Sequence, residues 1–235
     1  MDIEYKAALL KTSLNDYPGR IASVIFFPAC NLRCPWCHNG ALVLGKMKDE
    51  LVPLKTILQI IGSRAHLISA VVLSGGEPAL FEGLPELIVR IKEMGLLVKL
   101  DTNGTRPNVL KKLLDGTARP DFIAMDLKFN PERYGALEVS PSSAPLGEAV
   151  RESARLIRES SEKTGMDYEF RSLVFPSSAP LVFDEQDIEA LRGLAGSGRW
   201  RLRRFRGGNC LDPRWDSLPP VPPSEFERLS ASLGQ

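Results

Sequence analysis

The sequence has almost no net charge and no apolar run long enough for a membrane span. Thirty Lys and Arg residues oppose 29 Asp and Glu, so no overall field draws the chain to nucleic acid or to an anionic membrane. The longest early apolar run, residues 21–27, is far too short to cross a bilayer, and no basic segment followed by an apolar stretch opens the chain. We therefore expect a cytoplasmic protein with no nucleic-acid and no membrane partner.

Cysteine is also scarce, and its four copies are unevenly placed. Cys30, Cys34 and Cys37 lie within eight residues, whereas Cys210 stands alone. This layout is poor for a disulfide framework and good for a metal site, because thiolates are soft ligands for zinc or an iron–sulfur cluster. With only two histidines in the chain, histidine ligands are scarce.

The spacing of the cysteines leaves three interpretations open. Cys210 could close a structural zinc site with four thiolates. Cys34 and Cys37 could form a thioredoxin-like dithiol, which would leave Cys30 unused. Three thiolates on a cubane cluster would leave one iron open, which is a catalytic feature rather than a structural one.

Short apolar runs alternate with amphipathic segments, which predicts an α/β fold with parallel strands and outer helices. The six predicted strands cover residues 21–27, 70–73, 97–101, 122–126, 168–174 and 200–205. The predicted helices between them cover residues 54–64, 84–94, 108–115, 148–163 and 185–194. In α/β sheets of this kind, chemistry is placed at the carboxyl ends of the strands.

No repeat or change of composition divides the chain, so a single domain over 1–235 is predicted. Its core is expected at about 15–206, followed by a Pro-rich tail and a short helix at 207–235. Two long irregular stretches, 129–147 and 207–223, are predicted to act as lids or docking surfaces, with plain surface loops as the alternative.

Two motifs resemble those of radical S-adenosylmethionine enzymes. The spacing of Cys30, Cys34 and Cys37, with an aromatic residue before the last cysteine, is similar to the cluster motif of that superfamily. Residues 74–78, Ser-Gly-Gly-Glu-Pro, resemble its Gly-Gly-Glu motif, for which a tight turn between strand and helix is the alternative. Each motif follows its own predicted strand.

The resemblance narrows to glycyl-radical activating enzymes, and among them to the anaerobic ribonucleoside-triphosphate reductase activating protein family. It is carried by residues 12–20, 37–39, 101–104, 124–128 and 168–171, and it covers roughly residues 8–212. The family implies a partial (β/α)6 TIM-like barrel. It also implies one 4Fe-4S cluster, S-adenosylmethionine, a glycyl-radical enzyme as partner and a low-potential electron donor such as flavodoxin or ferredoxin.

By this resemblance, Cys30, Cys34 and Cys37 bind the cluster and Trp36 lies against the adenine of the cofactor. Many glycyl-radical activators carry a Cys-rich insert after the cluster motif, yet no cysteine occurs between Cys37 and Cys210. The chain therefore has thiolates for one cluster and none for auxiliary clusters. Two interpretations of Cys210 are open: a functional role shared with the family, or a buried free thiol with no such role.

The resemblance also places the methionyl end of the cofactor against Gly75, Gly76 and Glu77. Glycines permit close approach of the backbone, and a glutamate is an acceptor for an ammonium group. The further cofactor-binding candidates are Asp101, Thr102, Asp126, Lys128 and Arg171. A buried salt-bridge network is the alternative account of the charged ones, but such a cluster is costly unless it is satisfied or serves a ligand.

The segment 199–206 contains five arginines. Strand alternation places Trp200 and Leu202 on one face and Arg201 and Arg203 on the other, which becomes the barrel interior if the apolar pair packs on helices. A docking or anion-binding role and a solvated edge strand are both consistent with this pattern. Nucleic-acid binding is a weaker interpretation, because no stacking aromatics are interleaved.

The sequence thus predicts an enzyme that cleaves S-adenosylmethionine by one-electron reduction and takes a hydrogen from a glycine of a partner protein. Activation of pyruvate formate-lyase and a rearrangement of a small molecule are the alternatives within the superfamily. A non-catalytic metal-binding or partner-binding protein is the alternative outside it, and iron and sulfide content separates the two classes.

Overall fold

Strands and helices alternate along the chain in the computed structural model, which describes residues 4–137, 145–196 and 198–233. The strands are β1 Lys6–Tyr17, β2 Arg20–Phe27, β3 Val52–Pro53, β4 Ala70–Gly75, β5 Leu97–Thr102, β6 Phe122–Asp126, β7 Asp167–Val174 and β8 Trp200–Arg204. The helices are α1 Gly40–Val43, α2 Leu54–Ser63, α3 Leu84–Glu93, α4 Pro107–Asp115, α5 Leu146–Thr164, α6 Glu185–Ala195 and α7 Pro223–Ala231. Part of the predicted loop 129–147, residues 138–144, lies outside the described residues.

The sheet is mostly parallel. Its strand order is β3-β1-β2-β4-β5-β6-β7-β8, with parallel pairing from β2 through β8 and antiparallel pairing of β1 with β2 and β3. The α/β fold and all six predicted strands are confirmed, with ends that shift by at most two residues. Across the described ranges, no helix combines the length and the apolar character that a membrane crossing requires.

Two strands were not predicted, β1 and the short β3. β1 lacks a clean period of two because its pairing with β2 shifts register between Leu10 and Ser13 and again between Ser13 and Tyr17. These irregularities leave Leu10 and Leu14 exposed on a strand that also carries charged residues, so its pattern does not indicate a buried strand.

The two faces of the sheet differ in what covers them. The outer face packs on the helices, as shown by Ile25 and Leu73, which share one core with the buried stripe of α3, Leu84, Leu87, Ile88 and Ile91. The inner face has its own small apolar cluster, formed by Tyr17, Ala22, Val24, Ala70, Val72, Phe122 and Ala124. Side chains that alternate with the outer core therefore point into the inside of the sheet.

The sheet curls around this inner face. Phe26 of β2 and Arg203 of β8 line one cavity of about 410 Å³, although their strands are five positions apart in the sheet order. In a flat sheet with about 4.8 Å between strands they would be roughly 24 Å apart. The curvature brings the strand ends together in a partial barrel, which agrees with the expected architecture.

Candidate functional site

A cavity of about 360 Å³ lies at the carboxyl ends of the parallel strands. It collects the residues that the sequence singled out at four strand ends, because parallel strands direct these ends to one mouth. Its lining includes Cys30, Cys34, Trp36, Cys37, Gly75, Gly76, Asp101, Thr102, Asp126, Lys128 and Arg171. Of the predicted site residues, Glu77 alone is missing from this lining.

The cysteine loop runs from the end of β2 to the start of α1. A turn closes it, in which the Cys37 N–H donates to the Cys34 carbonyl over 3.0 Å. The Cys30 sulfur accepts the Leu32 N–H at 3.4 Å and lies 3.9 Å from the Asn103 amide nitrogen. Backbone and amide donors therefore face the sulfur side of the loop.

Burial makes the three thiols poor acids in the protein alone. Desolvation raises the pKa of Cys30 and Cys37, and it raises the pKa of Cys34 to about 12. The positive charge of Lys128 opposes the shift at all three sulfurs. A metal group that replaces the thiol protons is therefore needed to hold all three as thiolates at neutral pH.

The loop fits an iron–sulfur group by its donor chemistry. Three thiols line one cavity, with N–H donors and a cation close to the sulfurs, and such hydrogen bonds tune cluster sulfurs. Among the described residues, no set of three or more His, Cys, Asp or Glu side chains converges on a single point suited to one metal ion. The fit therefore concerns the ligand type and the shared cavity, and the part of the chain that the structure describes holds no preformed cage.

The turn after β4 is held against the start of the cysteine loop. The Gly76 N–H donates to the Phe27 carbonyl and the Glu77 N–H to the Ala29 carbonyl, each over 2.7 Å. Gly75 has φ +106°, and a Cβ there would lie 2.4 Å from the Phe27 nitrogen. A Cβ on Gly76 would lie 2.1 Å from the Ala29 oxygen. The close approach of two protein segments is thus sufficient to require glycine at both positions.

The side chain of Glu77 lies differently from the expectation that it faces a ligand ammonium. It is 1% exposed and accepts three hydrogen bonds from the chain itself. Oε1 accepts from the Ala79 N–H at 3.0 Å and from the Thr102 hydroxyl at 2.9 Å, and Oε2 accepts the Asn103 N–H at 2.7 Å. Glu77 therefore connects the end of β4 to the end of β5. The Thr102 hydroxyl donates its hydrogen bond to this connection.

Stability is expected to depend on pH through Glu77. Burial raises its pKa from 4.5 to about 7, against the lowering effect of its three hydrogen bonds. A carboxyl with a raised pKa stabilises the fold fully below its unfolded pKa, and this contribution is lost as the pH rises through the folded pKa. In urea unfolding of the metal-free protein, the free energy of unfolding of the parent should fall relative to that of Glu77→Gln as the pH rises. The relative fall should be roughly 2–3 kcal/mol between about pH 5 and pH 8.

The matched control for this measurement is Glu189→Gln, which removes a carboxylate that is 79% exposed. A stability difference for Glu77→Gln that stays constant with pH would mean that the three donors keep Glu77 ionised throughout. It would contradict the raised pKa while leaving the hydrogen-bonded connection intact.

The charged candidates form one network on the inner face. Arg171 pairs with Asp126 at 2.9 Å and with Asp101 at 3.4 Å, and Lys128 pairs with Asp126 at 3.2 Å. Lys99 also pairs with Asp101, which accepts the Ser74 hydroxyl at 3.0 Å. Burial opposes the ionisation of Asp126, but Arg171 and Lys128 outweigh it and lower its pKa. The network satisfies these charges and also lines the cavity, so its geometry is compatible with both the salt-bridge and the ligand interpretation.

Trp36 is buried and packs in a cluster of aromatic rings. Its ring centroid lies 4.7 Å from Phe175, 5.2 Å from Trp215 and 5.4 Å from Phe129. Trp36 also lines the cavity. An aromatic surface is therefore available there, held rigid by its neighbours.

The segment after β8 covers the cysteine loop. The Asp212 N–H donates to the Pro35 carbonyl over 2.9 Å, and a Cβ on Gly40 would lie 2.9 Å from the Leu211 Cα. Cys210 is buried in this segment, and burial followed by a hydrogen bond with Asp216 raises its pKa to about 12. The Cys37 charge contributes to that shift, which places Cys210 within electrostatic reach of the loop.

The structure adds several residues to the site that the sequence analysis did not name as site candidates. The Asn39 amide donates to the Gly75 carbonyl at 2.8 Å, and the Asn103 amide donates to Asn31 at 3.1 Å. Ser74 and the apolar Phe205 also line the cavity. Asn39 and Asn103 lie within the stretches 37–39 and 101–104 that carry the family resemblance, so their place in those stretches was the available signal.

Comparison with known proteins identifies the superfamily. The Radical SAM superfamily profile matches residues 24–165. A protein of Methanocaldococcus jannaschii, named as a candidate glycyl-radical enzyme activating enzyme, is 28% identical over 226 residues, which cover 95% of this chain and 89% of that protein. The likeness therefore extends over nearly the whole of both chains.

A second relative and a solved structure resemble the chain less completely. The pyruvate formate-lyase-activating enzyme of Clostridium pasteurianum is 33% identical over 119 residues, covering 49% of this chain and 48% of that enzyme. Coproporphyrinogen III oxidase of Escherichia coli has a similar structure, with a TM-score of 0.59 at 16% identity, covering 94% of this chain and 54% of that one. At this identity the structural likeness concerns the fold alone.

Proposed function

Because the chain belongs to the Radical SAM superfamily, we propose that it is an activating enzyme that installs a glycyl radical on a partner enzyme, with anaerobic ribonucleoside-triphosphate reductase as the first candidate partner. The observation that carries the proposal is the meeting of the cysteine loop and the Gly-Gly turn at one cavity. The similarity to the M. jannaschii protein, which covers nearly the whole of both chains, supports the class of activating enzymes.

In this proposal Cys30, Cys34 and Cys37 hold a 4Fe-4S cluster in the mouth of the barrel. When bound, the cluster supplies the electron that cleaves S-adenosylmethionine to methionine and a 5′-deoxyadenosyl radical, and that radical takes a hydrogen atom from the partner's glycine. The chain's own part is to bind, orient and exclude water. The turn at Gly75 and Gly76 sets one wall of the cofactor site.

The remaining candidates divide between apolar and charged contacts. Trp36 offers a rigid ring for the adenine, since aromatic faces pack well on bases. Asp101, Asp126, Lys128 and Arg171 surround the cavity with satisfied charges of both signs. A cofactor with a sulfonium, an ammonium and a carboxylate is matched by such a mixed lining. Glu77 and Thr102 hold this wall in place from behind.

The decisive test is radical transfer. The protein is reconstituted anaerobically with iron and sulfide, reduced, and mixed with S-adenosylmethionine and a candidate glycyl-radical enzyme. We expect 5′-deoxyadenosine together with a glycyl-radical EPR signal on the partner, and loss of that signal when the partner's glycine is replaced by Ala. Cofactor cleavage without radical on any candidate partner would reject the activating role and leave a reaction on a small molecule.

Pyruvate formate-lyase is the second candidate partner. The half-length similarity to the C. pasteurianum enzyme favours it. Presenting the reductase and pyruvate formate-lyase in parallel, at the same limiting concentration, separates the two by radical yield.

A further inference from the structure

The arginine-rich strand β8 lies beside the cavity at one end of the sheet order. Trp200 is buried and Leu202 packs against the outer core. Because side chains alternate along a strand, Arg201 and Arg203 project from the inner face, as the sequence pattern predicts. Both arginines are more than half exposed, at 59% and 54% of their side chains.

A single buried carboxylate fixes the position of both arginines. Glu169 on the neighbouring strand β7 is 4% exposed and lies 3.5 Å from Arg201 and 3.5 Å from Arg203. Each contact engages one guanidinium nitrogen, and a guanidinium carries five N–H donors. Both arginines are thus paired with Glu169 at one side and exposed at the other, and Arg203 also lines a cavity of the barrel.

The ion pairs of the inner face leave positive charge in excess. From β5 to β8 they connect three carboxylates with five cations: Asp101, Asp126 and Glu169 with Lys99, Lys128, Arg171, Arg201 and Arg203. Beside the cavity of about 360 Å³, each of the charged side chains Asp101, Asp126, Lys128 and Arg171 has a close partner of opposite charge. One positive charge of the excess lies in this inner group with Lys99, where two carboxylates face three cations, and the other lies at the exposed rim, where Glu169 faces two arginines.

The rim is continuous with the candidate reaction site. Arg203 lines the cavity of about 410 Å³, which shares Asp126, Lys128 and Arg171 with the cysteine cavity. A space of this size is too small for a folded domain but holds a short extended loop. Arg201 and Arg203 are two residues apart on a strand, so they are separated by about 6.6 Å.

We infer that Arg201 and Arg203, held by Glu169, form a docking site for an acidic extended segment of the partner polypeptide, with carboxylates two residues apart beside the loop that enters the mouth. This inference rests on the proposed function and deepens it by naming the chemistry of the partner. The matched spacing aligns two carboxylates with two guanidinium groups, and opposite charges steer the encounter and fix the register.

A nucleic acid fits this surface less well. Among the described residues, the large hydrophobic side chains that are exposed are Leu10, Leu14, Ile21, Leu44 and Leu67, and all of them are aliphatic. Single-stranded nucleic acids are normally bound by aromatic rings on which bases stack. Charge without stacking favours a polypeptide with carboxylates.

The test uses reconstituted enzyme with S-adenosylmethionine and labelled peptides, measured by fluorescence anisotropy. One peptide carries Glu-Ser-Glu ahead of a glycine, its matched partner carries Gln-Ser-Gln, and a single-stranded oligonucleotide is the third probe. We expect about tenfold tighter binding of the Glu peptide, with a preference that declines as salt rises.

The variant that removes the site is Glu169→Gln with Arg201→Gln and Arg203→Gln, so that no buried carboxylate is left unpaired. It should bind both peptides equally, whereas the control Arg90→Gln with Arg155→Gln, on the outer helices, should keep the preference. The inference would be overturned if the variant without Glu169, Arg201 and Arg203 kept the same preference for the Glu peptide as the control variant. Tighter binding of the oligonucleotide than of the Glu peptide would also overturn it. Failure of the proposed function is recognised separately, by absence of radical transfer from the parent enzyme.

Discussion

Replacement of any one of Cys30, Cys34 and Cys37 by Ala is expected to abolish cluster binding and to reduce formation of 5′-deoxyadenosine to background. The three sulfurs share one cavity and are the thiols of the cysteine loop, so loss of one leaves a cluster with too few protein ligands. The parent should bind about four irons with sulfide, and its reduced EPR signal should change when S-adenosylmethionine is added. Iron and sulfide analysis of the reconstituted proteins measures the loss directly.

Cys210→Ala is the matched control for these three variants. The Cys210 thiol is buried in the segment that covers the loop, and the Cys210 backbone N–H donates to Asp216 at 2.9 Å. This variant should therefore keep the cluster. If it loses the cluster, Cys210 is a fourth ligand and no iron is left open for the cofactor. One zinc per chain with no uptake of iron would instead favour the structural site of four thiolates.

The parallel strands could be predicted from the sequence because each is a short apolar run followed by a helical stripe. The residues of α3 that share a face in the pattern, such as Leu87 and Ile91, are completely buried in the structure. β1 could not be predicted in the same way. Its bulges break the period of two, and its place is decided by pairing with β2, which no local pattern records.

The meeting of four strand ends at one cavity also followed from the sequence, because parallel topology alone directs them there. The direction of the individual side chains did not follow. Glu77 turns away from the cavity to bond with Thr102 and the Asn103 N–H, a choice made by partners 25 and 26 residues distant. Tertiary contacts of this kind have no signature in a local motif.

The orientation of Arg201 and Arg203 was predictable because Trp200 supplies an apolar anchor that fixes the faces of β8. Their common partner Glu169 was not. It sits in a strand that reads as buried, and a lone carboxylate there was the available signal, because such a group is rarely buried without a cation. A carboxylate in a buried strand therefore predicts a cation on a neighbouring strand.

The motif and the structure lead to different expectations for a substitution in the Gly-Gly turn. If Gly76 served only to make room for the cofactor, a side chain there would block the cofactor and spare the cluster. In the structure, however, the obstacle is the Ala29 carbonyl, one residue before Cys30. A displaced Ala29 moves the first cluster ligand, so the two binding sites are coupled through this contact.

Gly76→Ala is accordingly expected to impair cluster and cofactor binding together. The added Cβ would lie 2.1 Å from the Ala29 oxygen, which is backbone and cannot turn aside as a flexible side chain would. We expect a loss of stability of about 1–3 kcal/mol from overpacking. We also expect a fall of about 100-fold in 5′-deoxyadenosine formation, since ligands displaced by about 1 Å lose this much. Thermal unfolding, iron content and equilibrium dialysis with S-adenosylmethionine measure the three effects.

Gly193→Ala is the matched control, because Gly193 lies within α6 with no heavy atom within 4 Å of an added Cβ. In a helix this change should stabilise the fold by about 0.5–1 kcal/mol and leave iron content unchanged. If Gly76→Ala instead keeps its full iron content and loses only cofactor binding, the cofactor rather than Ala29 is what excludes a side chain at this position. That result would separate the two sites and return Gly76 to the role its motif first suggested.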